Sequence, residues 1–183
     1  QAAAAIQHWL AAGSHERALD HLGGAGANLV RTSPGSVSAW LATMPEALRR
    51  DPRALILEGQ LLWGAGDHEK ARVQLRGAVA GFEGVGDEDR AWLARIYLAD
   101  TLVFLGRYEE VSEVAAGWEE VSAPIATFAA MAVAWFEVIA LSTLGAIERA
   151  ESLRARLLRD PAVAAQFSFI DVLSTSGRGL AAG

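Results

Sequence analysis

The sequence predicts an all-α protein, a solenoid of antiparallel helical hairpins, on three observations. Residues 53–82, RALILEGQLLWGAGDHEKARVQLRGAVAGF, read as two short helices folded back on each other around Gly66. Leu55, Gly59 and Leu62 form one stripe and Ala71, Leu75 and Ala78 another, at the three- and four-residue steps of a helix. Small residues, Gly59 and Ala71, stand where each helix is expected to touch its neighbour, because a Leu there would overpack the contact. Secondly, the turn recurs: AGSHERA from Ala12, AGDHEKA from Ala65, LGRYEEV from Leu105 and LGAIERA from Leu144. Its glycines, Gly13, Gly66, Gly106 and Gly145, stand 53, 40 and 39 residues apart, a helical-repeat period with one insertion. A glycine ending an apolar run permits the left-handed conformation that closes a helix. Thirdly, Ala, Leu, Glu and Arg dominate, all helix formers, and strand-like alternation is absent.

In chain order, residues 2–22 form the first hairpin, with Ile6, Trp9 and Leu10 facing inward from one helix and Ala18, Leu19 and Leu22 from the other. Gly23, Gly24 and Gly26 predict a flexible break. They lack the Lys, the Ser/Thr and the preceding strand of a phosphate-cradling loop. Residues 27–51 are an inserted segment of short helices: one at 27–31, a turn at 32–35, one at 36–43 with Val37, Trp40 and Leu41 apolar, and one at 46–50 behind Pro45. The 53–82 hairpin follows. A polar loop at 83–90 offers Asp87 or Asp89 as a helix cap. Residues 91–121 form the next hairpin, with Leu98, Ala99 and Leu102 on its inner stripe and a second helix over 107–121. Residues 124–159 form the last. Pro161 interrupts the chain, and 162–173 predict a terminal helix.

The chain has 183 residues, enough for one domain or one short solenoid, and 52% are hydrophobic, which excludes disorder. A net charge of -6 with no strong basic run argues against direct nucleic-acid contact. The absence of cysteine removes disulfides and thiolate metal sites and fits a cytoplasmic address. The start at Gln1 without Met suggests a piece of a longer multidomain protein, or an unobserved or cleaved leader, although the Ala-rich start lacks a basic n-region followed by an apolar h-region and cleavage site. Between Ala123 and Ile147 the only charge is Glu137. The run is long enough to span a bilayer, but a central Glu would be costly there, so a core helix and no membrane partner are expected.

Gly59, Gly66, Ala71 and Ala78 match small positions of the tetratricopeptide repeat (TPR). Ala99, Gly106 and Tyr108 match in the next repeat, Gly145 and Ala150 in the last, and Gly13, Ala18 and Ala25 in the first. Val111, Trp118 and Val138 depart from the pattern. The fold this resemblance implies is a TPR-like right-handed superhelix. From Trp9 to Arg159 the order HWLAAGSHERALDHL, then AWLATMPEALRRDPRALILEGQLLWGAGDHEKA, resembles the helical sensor region of MalT-like, LuxR-type bacterial transcriptional regulators. Trp40–Leu41 and Met44–Pro45 resemble that family's W-L-x-x-L-P segment. The resemblance implies a region between a nucleotide-binding switch domain and a helix-turn-helix domain, receiving a small-molecule effector or a protein partner. This chain carries neither a Walker motif nor a recognisable DNA-binding helix pair. A related actinobacterial type of regulator carries such repeats too.

Few residues offer chemistry. His8, His15, His21 and His68 do not converge as metal ligands, and His15 and His68 read as solvated turn residues. Glu109/Glu110, Glu119/Glu120 and Asp87/Asp89 read as outer-face or loop carboxylates, not a facing catalytic pair. Ser14 and Ser112 lack a base-and-orienter setting. No catalytic residue, metal or cofactor is expected, and the protein is expected not to be an enzyme. The candidates for binding are first-helix positions lining a concave groove in the repeat frame: Arg53, Ile56, Gln60 and Trp63, then Leu93, Ile96, Asp100 and Phe104, then Trp135, Ile139 and Thr143. Trp63, Phe104 and Trp135 with Gln60 and Asp100 between them suit an apolar peptide, a helix or a small ligand, unless the aromatics seal the stack. The leading expectation is an effector- or protein-binding module of a transcriptional regulator. The alternatives are a general protein-interaction scaffold unrelated to transcription and, third, an enzyme with chemistry in the groove.

Overall fold

A computed structural model describes residues 2–121 and 124–159. The described residues are all-helical. The α-helices are α1 Ala2–Ala11, α2 His15–Thr32, α3 Pro34–Ala42, α4 Glu46–Arg49, α5 Pro52–Gly64, α6 His68–Gly84, α7 Glu88–Phe104, α8 Tyr108–Ala115, α9 Pro124–Thr143 and α10 Ile147–Leu157. A short 3-10 helix, Trp118–Glu120, lies between α8 and α9. The expected terminal helix at 162–173 lies outside the described residues.

The recurrent turns form as the glycines predict. Gly66 and Gly106 adopt φ of +81° and +68°, a region a side chain would strain. Carboxylates begin the helices around them: Asp51 accepts from the Arg53 amide, Asp67 from Lys70 and Asp87 from Arg90. Such short links fold consecutive helices back on each other. Accordingly α1 packs on α2, α5 on α6, α7 on α8 and α9 on α10, while α2–α5, α6–α7 and α7–α9 contacts join successive pairs. Leu19, Leu22, Leu75, Leu102, Val111 and Val133 are fully buried in one continuous core. A second cluster, with Trp135, Val138, Leu141, Ala150, Leu153 and Leu157, lies between α9 and α10. Among the described residues no helix is long and apolar enough to cross a membrane.

Two local expectations are overturned. The glycines at 23–26 do not break the chain: α2 runs unbroken from His15 to Thr32, absorbing the separate helix expected at 27–31. Packing decides this, because Gly26 is buried where its α-carbon meets Leu57 of α5; a Cβ there would lie 2.3 Å from Leu57 Cδ2. The helix expected over 107–121 stops at Ala115, because Gly117 turns left-handed at φ +81° and starts the 3-10 helix. On α5 the stripe residue Gly59 is buried against Leu75, and Leu55 and Leu62 pack half-buried on the core, while Ala54, Ile56 and Leu57 are buried as well. Besides α6, helices α2, α3 and α4 pack on α5.

Candidate functional site

The last turn of α5, the first of α6 and the last of α7 meet at one edge of the molecule. Trp63 ends α5, His68 begins α6 and Phe104 ends α7. The rings form a closed set. Trp63 meets Phe104 edge-on at 5.4 Å, His68 stacks on Phe104 at 5.2 Å, and Trp63 meets His68 at 6.0 Å. These spacings are those of favourable aromatic pairs. Phe104 nevertheless keeps 62% of its surface exposed. Asp100, one turn earlier on α7, is half-buried. Burial holds its carboxyl above the ordinary range, and the nearby His68 partly offsets this. Trp63 Nε1 and His68 Nδ1 are buried without a hydrogen-bond partner among the described residues. Unsatisfied polar atoms of this kind are uncommon, and here two lie beside one exposed aromatic face.

Ion pairs fix the scaffold around this edge. Arg107 bridges Glu69 at 2.7 Å and Glu110 at 2.9 Å, and Arg76 also reaches Glu110. Hydrogen bonds from Arg107 hold the carboxyls of Glu69 and Glu110 below their ordinary range. The ladder ties the start of α6 to the start of α8, so the turns on either side of Phe104 are clamped.

The predicted groove residues divide. Trp63, Asp100 and Phe104 come together. Gln60 is half-buried one turn before Trp63's end of α5. Arg53 lies apart: its guanidinium pairs with Glu16, Asp20 and Asp51 and joins α2 to α5. The Asp51 hydrogen bond raises Arg53 above its ordinary value and lowers Asp51 below its own. Trp135 is only 2% exposed and packs between α9 and α10, and Ile56 is buried in the core, so neither faces a groove. Thr143 is exposed and its hydroxyl donates to the Ile139 carbonyl. Leu93 is exposed, and Ile96 and Ile139 are half-buried.

His68 is the residue sequence reasoning missed. Its place in the turn predicts a solvated side chain, yet the ring stacks on Phe104 and meets Trp63 edge-on. The available signal was its place directly after the turn, five residues past Trp63 at the end of the preceding helix. Among the described residues no three His, Asp or Glu side chains gather as a metal site. The site offers an aromatic face, ring nitrogens and one half-buried carboxylate, which suits binding. Comparison of the chain with known protein families, with curated proteins and with solved structures finds no match.

Proposed function

We propose that the chain is a TPR-like right-handed superhelix that serves as the effector- or protein-binding module of a bacterial transcriptional regulator. The observation that carries the binding site is the exposed Phe104 ring resting on Trp63 and His68 beside Asp100. An aromatic platform with one acidic neighbour suits an apolar or aromatic group that carries a hydrogen-bond donor or a positive charge. The recurrent left-handed turns and the order of helix pairing support the superhelix. The regulatory role rests on the sequence resemblance alone, and DNA contact would fall to a separate domain.

Asp100 is the residue of choice for a test, because Asp100→Asn preserves size while removing the charge. Full-length gene product is incubated with fragmented genomic DNA of its host, and bound fragments are sequenced. Enrichment of promoter regions, altered by Asp100→Asn or Phe104→Ala with the fold intact, supports the reading. No enrichment with or without nucleotide removes transcription. The general scaffold then remains, favoured by the exposed Leu144 and Ile147 at the α9–α10 turn, which offer a protein partner further apolar contact.

A further inference from the structure

A cavity of about 230 Å³ opens between α9, α10 and the 3-10 helix, and shares no residue with the aromatic edge. Arg149, Ser152 and Arg156 line it from α10, spaced by three and four residues and therefore on one helix face. Glu137 and Leu141, one turn apart on α9, line the opposite wall. Leu153 and Trp118 supply further apolar surface.

The charges are arranged in opposition. Glu137 is half-buried and accepts a hydrogen bond from Ser112, and burial raises its carboxyl above the ordinary range. Arg156 pairs with Glu119 and lies over the Trp118 ring, 5.7 Å from its centroid. Arg149 is exposed and faces Glu137 closely enough to offset part of the rise that burial causes in its carboxyl. Glu119 and Glu137 balance Arg149 and Arg156, so the surroundings favour an occupant with no net charge. A phosphate would meet Glu137, and a simple amine would meet the arginines. A zwitterion satisfies both walls. The volume is below the roughly 300–1,000 Å³ of sites for drug-sized molecules, which indicates a small metabolite.

We propose that this cavity binds a free α-amino acid with an apolar side chain. Arg149 and Ser152 hold its carboxylate, the planar guanidinium matching the carboxylate geometry. Glu137 takes the ammonium, and Leu141, Leu153 and Trp118 receive the side chain.

The test is isothermal titration of the full-length protein with L-leucine, L-methionine and L-phenylalanine, beside 3-methylbutylamine and 4-methylpentanoate. The last two are leucine without its carboxylate and leucine without its amine. At least one amino acid is expected to bind at millimolar concentration or better, and each of the two leucine fragments at least about tenfold more weakly than leucine. Arg149→Gln and Glu137→Gln are each expected to abolish the heat of binding. Arg149 is exposed, so that variant is expected to retain the wild-type melting curve, and Glu137→Gln checks the opposite wall. Absence of binding by all three amino acids overturns the proposal. Equal binding of 4-methylpentanoate and leucine, or wild-type affinity in Arg149→Gln, overturns it as well.

Discussion

Gly59→Ala adds one methyl group where α5 and α6 approach closely. A Cβ at Gly59 would lie 2.6 Å from Leu75 Cγ and 2.7 Å from its Cδ2. Carbon atoms in contact prefer about 3.5–4.0 Å, so Leu75 must retreat by about 1 Å. Cγ is the branch carbon, and rotating its terminal methyls does not move it. Relief needs a change at χ1 or a separation of α5 from α6, and Leu75 is fully buried. Overpacking of this kind costs about 1–3 kcal/mol. Alanine regains about 0.5–1 kcal/mol of helix propensity over glycine. The net expectation is a loss of up to about 2.5 kcal/mol, each kcal/mol lowering the melting temperature by about 2–4 °C for a chain of this size. Gly24→Ala is the internal control, since it lies inside α2 with nothing within 4 Å of its added Cβ. It should gain the propensity term alone. Urea unfolding reads both as midpoint shifts at constant m-value. If Gly59→Ala is stabilised as Gly24→Ala is, the α5–α6 contact is not a close approach and the packing argument fails.

Ala71→Leu, at a fully buried position of α6, should cost about 1–3 kcal/mol by the same overpacking, and an unchanged melting curve would refute the register. Arg53→Gln leaves Glu16, Asp20 and Asp51 without their shared cation and should cost about 1–2 kcal/mol. That loss should shrink in high salt, and a salt-independent difference would argue against an ionic origin. Burial raises the Glu58 carboxyl, so its stabilising neutral form is fully present below the ordinary glutamate value and is lost as pH rises through the raised one. Glu58→Gln should therefore melt higher than wild type at neutral pH and lose that advantage in acid; a constant difference across pH would contradict the assignment.

The helices were legible wherever a glycine turn and an apolar period agreed. Residues 52–84 carried both, and the bounds of α5 and α6 follow the pattern closely. The failures came from glycines with a second use. Gly23, Gly24 and Gly26 resemble a linker in isolation, yet Gly26 serves a close approach to Leu57 that no local pattern announces. Gly117 works in the opposite sense, ending a helix whose apolar period continues through Trp118 and Val121. The groove positions suffered from an assumption of strict repetition. Trp63 and Phe104 occupy the repeat positions assigned to them and meet. Trp135 occupies the analogous place on α9, but there α10 covers it, and the register of one hairpin did not transfer to the next. His68 was hidden for a physical reason: a polar residue after a turn is usually solvated, and only the neighbouring hairpin brings Phe104 over it.

The position of the aromatic edge bears on how occupancy could be reported. Trp63 and His68 belong to the α5–α6 pair, whereas Asp100 and Phe104 belong to α7. An occupant touching all four bridges a joint between helix pairs. It can shift their relative arrangement only by as much as it prefers one arrangement over another, whatever its total affinity. Groups on both sides of the joint are what make such a preference available. The Glu69–Arg107–Glu110 ladder spans the same joint and limits how far it can move. Glu69 is exposed and Arg107 and Glu110 are only half-buried, so each pair contributes little individually, about 1 kcal/mol or less. A modest differential affinity is therefore comparable to the restraint, and a site built across this joint is better placed to signal than one enclosed within a single hairpin.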